Sequence, residues 1–510
     1  MTQSTTADSN ENADGHKGLI AISVMLATIM QALDTTIANV ALPHMQGAMG
    51  ASQDQISWVL TSYIVAAAIC MPLTGILTAK FGRKRVFSWS VIGFTVASML
   101  CGAAQNLDQI ILFRLLQGVF GASLVPLSQS VLLDTYSVEK HGSAMAMWGV
   151  GVMLGPILGP SLGGWLTEYY NWRWVFYINL PFGILAWLGI SSFVKETAID
   201  NSRRFDYLGF AFLAIAIGAL QMMLDRGQSE DWFASSEIVV EAILAIGAFY
   251  LFVAHIFTKS HPFIDPAIFQ DRNFTIGIIF IFIIGIILLA TMALLPPFMQ
   301  SLMGYPVIDV GLLLAPRGMG TMVAMIIVGK LSGKVDIRYK LLLGLGLTVF
   351  SLWQMTLFTR DSSSFDIIST GVIQGMGLGF LFVPLSTISF ATLEPKYRNE
   401  GTALFSLMRN IGSSIGISIV MTYLAQRMQI NHAFFSEFIT PFNQSLQQAA
   451  NAGLVNTDSA KGLSQLNAMV NQEAATLAYL QDFRLMMWIT LAATPLILLF
   501  SSKKPSLQPA

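Results

Sequence analysis

Charged side chains are scarce in this sequence. Asp, Glu, Lys and Arg make up 11% of its 510 residues, whereas a soluble domain carries about a quarter. Hydrophobic residues reach 54% and the mean hydropathy is +0.62, so most of the chain must lie in lipid. The net charge of -1 offers no basic excess for binding nucleic acid.

Cysteines, nucleotide-binding motifs and metal-binding motifs are equally scarce. The two cysteines, Cys70 and Cys101, lie in apolar runs and are expected to be buried thiols. No Gly-x-x-x-x-Gly-Lys-Ser/Thr motif occurs, which argues against ATP as the energy source. No His-Glu-x-x-His pair occurs, which excludes an intramembrane metalloprotease of that kind. We therefore expect no enzyme, no cofactor and no metal site.

Fourteen apolar runs are long enough to cross a bilayer. They lie near residues 18–43, 56–79, 86–105, 109–133, 142–168, 173–194, 207–226, 236–258, 274–300, 307–333, 340–359, 367–391, 400–424 and 485–502. None alternates between apolar and polar residues as a membrane β-strand does. The predicted fold class is an all-α integral membrane protein with 14 transmembrane helices.

The distribution of Lys and Arg predicts the orientation. If the N-terminus is inside, most of the 28 Lys and Arg residues fall on the inner side, so the positive-inside rule places both termini in the cytoplasm. The polar segment Met1–His16 lacks the basic start of a signal peptide and is predicted to be an unstructured tail.

An internal repeat divides the chain into two halves. Gly75–Lys80 after the second span is echoed by Gly329–Lys334 after the tenth, and Gln117-Gly118 is echoed by Gln374-Gly375. The echoes lie eight spans apart, so both halves have the same orientation, as in transporters built from parallel six-helix repeats. The predicted ranges are a cytoplasmic tail (1–17), an N-terminal six-helix bundle (18–194), a linker with two extra transmembrane helices (195–273), a C-terminal six-helix bundle (274–502) and a second cytoplasmic tail (503–510).

The longest predicted loop covers residues 425–483 and lies on the outer, periplasmic side. It is rich in Gln, Asn, Ala and Ser, with apolar residues at loose helical spacing. Two interpretations remain open, namely a polar surface hairpin and a docking site for an extracytoplasmic partner.

The fifth span has one face that is almost free of side chains. Pro156 and Pro160 bend the same helix, and Gly164 adds a further small residue. A bare face lets a neighbouring helix approach closely, so we expect it at a moving interface between the two halves, with static packing as the alternative. The face consists of Gly151, Gly155, Gly159 and Gly163.

Asp34 is predicted to be the only acid well inside a span. Arg114 enters the fourth span from the same side at a similar depth, roughly 8–13 Å at about 1.5 Å per residue. Ionisable groups at such depth are costly and are functional candidates. The hypothesis is that Asp34 binds the coupling proton and meets Arg114, and the alternative is a static ion pair.

Two further arginines and several polar side chains are predicted to line a substrate cavity. Arg317 and Arg409 would make this cavity positive and favour neutral or weakly acidic lipophilic compounds, unless they cap carbonyls or pair with acids instead. For each polar residue the alternative is a helix-packing or lipid-facing role. The remaining cavity candidates are Gln31, Asn39, Tyr63, Gln129, Trp148, Tyr177, Gln374 and Asn410.

Five motifs in order resemble the major facilitator superfamily, specifically its fourteen-helix drug:proton antiporters of the EmrB/QacA type, and the likeness is closest to EmrB-like multidrug exporters. The motifs are Leu33–Pro43, Gly75–Arg85, Arg114–Gly118, Gly151–Gly164 and Trp172–Pro181. The resemblance implies a conformational role for the second and fourth motifs, including Gly75, Gly82 and Arg83. Ala79 departs from the pattern, because the family usually has Asp at this position in a charge network that closes the cytoplasmic side.

The resemblance implies a proton-coupled multidrug efflux transporter in the inner membrane. It exports toxic lipophilic compounds, which links it to antibiotic resistance, and EmrB-like proteins work with a periplasmic adaptor protein and an outer-membrane channel. Two alternatives stay open: a proton-coupled permease or exporter of a specific metabolite or siderophore, and a non-transporting membrane receptor or scaffold.

Overall fold

A computed structural model describes residues 4–200, 205–259, 262–440, 442–451 and 459–500. Within these ranges the chain is helical and has no β-strand. The predicted C-terminal tail, 503–510, lies outside the described residues.

Eighteen α-helices follow one another along the described chain. The N-terminal helices are α1 (Ser4–Met49), α2 (Gln53–Cys70), α3 (Leu73–Phe81), α4 (Arg83–Ala103), α5 (Leu107–Gly121), α6 (Leu124–Thr135), α7 (His141–Tyr169), α8 (Trp174–Tyr177) and α9 (Asn179–Phe193). The two inserted helices are α10 (Tyr207–Arg226) and α11 (Ser236–Thr258). The C-terminal helices are α12 (Arg272–Pro297), α13 (Val307–Lys330), α14 (Ile337–Met355), α15 (Ser364–Ala391), α16 (Arg398–Glu437), α17 (Gln444–Asn451) and α18 (Ala460–Ala492).

Twelve helices in the described ranges are long and apolar enough to cross a membrane, or thirteen if the bent pair α2–α3 is one span. The two segments of that pair meet at 57°, at Pro72, because proline has no N–H to continue the helix. The one predicted span outside this set, 340–359, corresponds to α14, whose first turn carries Arg338 and Lys340 and which packs on α15 and α18. Large apolar side chains such as Ile246 and Phe249 on α11 are exposed, as expected of a lipid-facing surface.

Two predicted boundaries are corrected by the helices. Most of the expected loop 425–483 is helical, because α16 continues to Glu437 and α18 already begins at Ala460. The expected N-terminal tail 1–17 is also helical from Ser4 onward, as part of α1. In both places polar composition suggested a loop or tail, but a helix can continue into water when its polar side chains are solvated.

Glycines set how closely the C-terminal helices pack. At Gly412 on α16, a Cβ atom would lie 2.1 Å from the carbonyl oxygen of Phe282 on α12. The backbones touch there, so a side chain of any size would push the two helices apart. Gly247 on α11 is the opposite case, because no atom lies within 4 Å of its Cβ position.

We predict that Gly412→Ala lowers the free energy of unfolding by about 1–3 kcal/mol, because the added methyl overpacks a backbone contact. Thermal unfolding of the purified protein in nanodiscs measures the effect. Gly247→Ala is the matched control and should leave Tm unchanged or slightly raised, since alanine favours helix. Equal Tm values for the two variants would contradict the observed α12–α16 packing.

Candidate coupling site and substrate cavity

Asp34 and Arg114 form an ion pair in the interior of the N-terminal helices. Both side chains are 1% exposed, and Nη1 of Arg114 lies 2.6 Å from Oδ2 of Asp34. The second carboxylate oxygen, Oδ1, accepts hydrogen bonds from the amide groups of Gln117 at 2.8 Å and Asn179 at 2.9 Å. The prediction that Asp34 and Arg114 meet is confirmed.

Several groups hold Arg114 in place apart from the acid. Its Nε donates to the carbonyl of Val59 at 3.1 Å, and its Nη1 also donates to Oε1 of Gln117 at 2.8 Å. The guanidinium lies 4.3 Å from the centre of the Tyr63 ring, a cation–π contact. Tyr63 is also 3.3 Å from Nε2 of Gln31. The site therefore joins α1, α2, α5 and α9.

Three donors converge on the Asp34 carboxylate: Nη1 of Arg114 and the amide groups of Gln117 and Asn179. Protonation of Asp34 would remove the charge that compensates Arg114, and a buried unpaired charge costs several kcal/mol. Loss of the negative charge at Asp34 would therefore weaken the contacts that join α1 to α5 and α9. Gln117 and Asn179 were not among the predicted site residues, although both lie in the quoted motifs.

The structure brings only some of the other predicted cavity residues together. Trp148 on α7 is fully buried, donates to Oγ of Ser128 at 2.7 Å, and stacks on Phe382 of α15 with ring centres 5.7 Å apart. This stack joins the N-terminal and C-terminal helices. Gln129 and Gln374 are buried, and neither amide has a hydrogen-bond partner among the described residues.

Three predicted cavity residues are not joined to this cluster. Asn39 is exposed on α1, beyond Asp34. Tyr177 lies against the backbone at Gly102, where a Cβ would be 2.4 Å from its ring, and makes an edge contact with Trp174. Asn410 is half-buried on α16.

Arg317 and Arg409 lack acidic partners in the described part of the chain. Arg317 is 7% exposed and its Nη2 donates to Oγ1 of Thr291 at 3.0 Å and to the carbonyl of Leu288 at 3.3 Å. Arg409 is half-buried, and its guanidinium makes no hydrogen bond or ion pair with any described residue. Asp34 is already paired with Arg114, so it does not compensate either of these two cations.

A charge cluster joins the N-terminal and C-terminal helices at one end of the bundle, here called the Asp134 end. The Asp134 carboxylate on α6 pairs with Arg83 of α4 and with Arg398 of α16. Arg83 also donates to Oγ of Ser130 at 3.1 Å. Close by, a Cβ at Gly75 would lie 3.2 Å from the Cα of Glu400, so α3 touches the α16 backbone.

Glu196 caps the N-terminus of α4, which begins four residues after Ala79. Its carboxylate accepts hydrogen bonds from the backbone N–H groups of Lys84 at 2.9 Å and Arg85 at 3.2 Å, at the N-terminus of α4. Gly82 has a φ of +87°, and a Cβ there would lie 2.4 Å from the Glu196 carboxylate. Glycine at 82 therefore satisfies both the backbone turn and the close approach of this cap.

The bare face of α7 does not lie between the two halves, so that expectation is wrong. It packs on α1, and the Thr36 hydroxyl donates to the Gly155 carbonyl at 3.0 Å. Glycine spacing alone fixes a face of the helix but not which neighbour meets it. A Cβ at Gly151, Gly155, Gly159 or Gly163 would meet Met25, Ala32, Thr36 or Ile37, respectively, and one at Gly164 would meet nothing within 4 Å.

The interface with the C-terminal helices uses a different face of α7. A Cβ at Gly318 on α13 would lie 2.1 Å from Ile157, and one at Gly149 would lie 2.6 Å from Met325. Nearer the Asp134 end, Oγ of Ser143 donates to the carbonyl of Gly329 at 3.2 Å. Helix α7 is therefore held between α1 and α13.

The chain matches the family model of the Major Facilitator Superfamily over residues 24–417. The chain belongs to the major facilitator superfamily. It is therefore a multi-pass membrane transporter and not an enzyme.

Two named relatives align with most of this chain. It is 37% identical over 433 residues to the fatty acid resistance protein FarB of Neisseria gonorrhoeae, covering 84% of this chain and 85% of that protein. It is 37% identical over 432 residues to the multidrug export protein EmrB of Escherichia coli K12, covering 84% of each. A crystal structure of the human organic anion transporter MFSD10 shares the fold, with a TM-score of 0.60 at 14% identity over 93% of this chain and 99% of that one.

We predict that the variants Asp34→Asn and Arg114→Gln are each destabilised by about 3–5 kcal/mol, because each leaves a buried polar or charged partner uncompensated. The double variant removes both charges and should recover much of that stability while remaining unable to couple transport to protons. Unfolding in nanodiscs and proton-driven uptake into vesicles measure the two properties. If transport returned together with stability, the pair would be a static ion pair; Asp108→Asn, an exposed acid on α5, is the control.

We predict that Arg398→Ala favours opening of the Asp134 end. Losing one partner of Asp134 lowers the stability of the closed arrangement by about 1 kcal/mol. This shifts the ratio of closed to open molecules about fivefold. Spin labels at Val138 and Tyr339, both exposed, report the distance across this end in a protein whose Cys70 and Cys101 are replaced by serine. Lys396→Ala, which removes a nearby exposed cation, should leave the distance distribution unchanged.

Proposed function

We propose that this facilitator is a proton-coupled exporter of lipophilic, drug-like compounds. The observation that carries the proposal is the fully buried Asp34–Arg114 pair, whose carboxylate is bound by Arg114 and Gln117 of α5 and by Asn179 of α9. A proton-binding acid in this setting links its charge to helix positions. The relatives named for multidrug export and fatty acid resistance support the same activity.

The mechanism follows from the two sets of contacts around α7. In the conformation described here, the Asp134 end is closed by Asp134, Arg398 and Arg83, and Asp34 is paired. Protonation of Asp34 would loosen its hold on Arg114 and so favour the other arrangement of the helices. Residues 18–194 and 274–502 then act as two six-helix units that rock about the α7–α13 contact, with 195–273 as the connecting segment. The glycines of α7 that face α1 hold α1, which carries Asp34, close to the α7–α13 contact.

The substrate cavity is expected to prefer neutral or weakly acidic lipophilic compounds. Among the described residues Arg409 has no acidic partner and Arg317 donates only to neutral oxygens, so an anionic group would find an uncompensated cation there. A fatty acid is a lipophilic weak acid, which fits the name of one relative. Buried Gln374 and Gln129 offer further orienting hydrogen bonds to a bound compound.

The charge distribution and the long helices support a location and a partner for the protein. The distribution of Lys and Arg supports an inner-membrane protein with both termini and the Asp134 end on the cytoplasmic side. Helix α16 has 40 residues, about 60 Å at about 1.5 Å per residue, and so exceeds the roughly 30 Å hydrocarbon core. The amide of Asn431 donates to the Ala474 carbonyl at 3.2 Å and ties the outer parts of α16 and α18 together. This helical hairpin is the surface we expect a periplasmic adaptor protein, and through it an outer-membrane channel, to use.

Energised inside-out vesicles test the direction and energy source of transport. We expect accumulation of the lipophilic anion 8-anilino-1-naphthalenesulfonate in these vesicles, and collapse of that accumulation by a protonophore. A nutrient or siderophore permease would accumulate its substrate in right-side-out vesicles instead. A receptor or scaffold would show no proton-dependent flux in either preparation.

We predict that Arg409→Ala reduces export of 8-anilino-1-naphthalenesulfonate about tenfold, because a charge-assisted hydrogen bond worth about 1.5–3 kcal/mol is lost. Export of the cationic dye ethidium should stay constant or rise. The ratio of the two initial rates is the measurement. Arg427→Ala is the control, since Arg427 is on the same helix but stacks on Tyr423. An equal loss for both dyes would contradict a charge-selective role.

A further inference from the structure

Helix α18 carries a second buried carboxylate that the sequence patterns did not single out. Asp482 is 0% exposed, and neither of its oxygens has a hydrogen-bond partner among the described residues. The polar composition of 425–483 placed it in a predicted loop, whereas the structure places it within a helix that is long and apolar enough to cross the membrane. Asp34 is therefore not the only acid inside such a helix.

The surroundings of Asp482 are apolar. Helix α18 packs on α12, α14 and α16, and the residues next to Asp482 belong to a cluster of large apolar side chains. The cluster includes Phe298, Phe358, Tyr479, Phe483 and Met486.

The charged groups on the surrounding elements are engaged elsewhere or lie at the far ends of the helices. On α12 the only charged side chain is Arg272, in its first turn, and on α14 the cations are Arg338 and Lys340, also in the first turn. On α16, Arg427 stacks on Tyr423. Across the outer loop, Arg360 pairs with Glu473 of α18 itself.

Three more titratable groups lie on α18, namely Tyr479, Arg484 and, in the first turn, Lys461. The other charges of α16 lie far along that helix. Tyr479 is one turn from Asp482, and Arg484 is exposed. His432 on the outer part of α16 is 3.0 Å from Oδ1 of Asn467. On α16, Arg398 and Glu400 are in the first turn and Glu437 is the last residue. Arg409 lies more than three turns before Tyr423, the residue on which Arg427 stacks. None of these cations pairs with Asp482.

An ionised carboxylate in these surroundings would cost several kcal/mol, because it has neither a cation nor a donor to compensate it. A neutral carboxylic acid costs far less. A bound metal cation would need several oxygen ligands, and no group of three or more His, Cys, Asp or Glu side chains gathers anywhere in the described residues. The ligand that fits Asp482 is a single proton.

We propose that Asp482 is a second proton-carrying site of the transport cycle. In the conformation described here Asp34 is ionised and paired, while Asp482 holds its proton. Helix α16 connects Asp482 to the Asp134 end, which opens and closes in the proposed cycle. It packs on α18 and also carries Arg398 of the Asp134 cluster. When α16 moves and water reaches Asp482, the O–H bond breaks, the proton passes to water and the carboxylate is left charged. Rebinding of a proton from the opposite side then restores the neutral acid.

Infrared spectroscopy of the full chain in nanodiscs tests the protonation state and does not depend on the proposed export function. At neutral pH the wild-type protein should show a carbonyl stretching band of a protonated carboxylic acid, which shifts in D2O. Asp482→Asn should remove this band and leave the fold intact, since asparagine resembles the neutral acid in shape. Asp309→Asn, an exposed acid of the C-terminal helices, should leave the band unchanged. If the band is absent from the wild type or persists in Asp482→Asn, the proposal is overturned.

The role of the proton in transport rests on the proposed function and has its own measurement. In proteoliposomes, the pH gradient that just balances a gradient of 8-anilino-1-naphthalenesulfonate gives the ratio of protons to substrate. We expect Asp482→Asn to halve this ratio and Asp309→Asn to leave it unchanged. An unchanged ratio in Asp482→Asn, with the infrared band lost, would show that Asp482 is only a structural acid and would overturn its role in the cycle. Absence of transport in the wild type would count against the proposed function, while the infrared result would still decide the protonation state.

Discussion

The cost of placing charge in an apolar interior governs this structure. Asp34 and Arg114 are each 1% exposed, and their interaction is tolerable only because every oxygen of the acid and most donors of the cation are engaged. Removing a single charge from such a network destabilises everything that holds it. The same network therefore stabilises one arrangement of helices. In the proposed function, protonation of Asp34 weakens that network.

Close backbone packing transmits such a disturbance. Helix α7 presents glycines to α1 on one side and meets Gly318 and Gly329 of α13 near its other side. Few side chains intervene at either contact, so a shift of α1 cannot be absorbed by rotamer changes alone. The close contact between α1 and α7 connects the ion-pair site to the contact between the two bundles.

At the Asp134 end, a charge network joins the two sets of helices although position 79 carries no acid. Ala79 removes the carboxylate expected from the family resemblance, yet the N-terminus of α4 is still capped, by Glu196 from beyond α9. Asp134 in turn receives Arg83 from its own set of helices and Arg398 from the other set. Because the two arginines share one carboxylate, the closed end depends on contacts within and between the bundles at once.

The sequence by itself determined the fold class, nearly all of the spans and the Asp34–Arg114 pair, because hydrophobic length and the penalty on intramembrane charge act locally along the chain. It also placed Gln117 and Asn179 in motifs, though not as ligands of the acid. Only the tertiary structure decided that the α7 glycines face α1, that Glu196 caps α4, and that Asp482 is buried within α18. Helical periodicity defines which residues share a face, but the partner of that face depends on how distant segments pack, and a polar stretch continues as helix only when its neighbours support it.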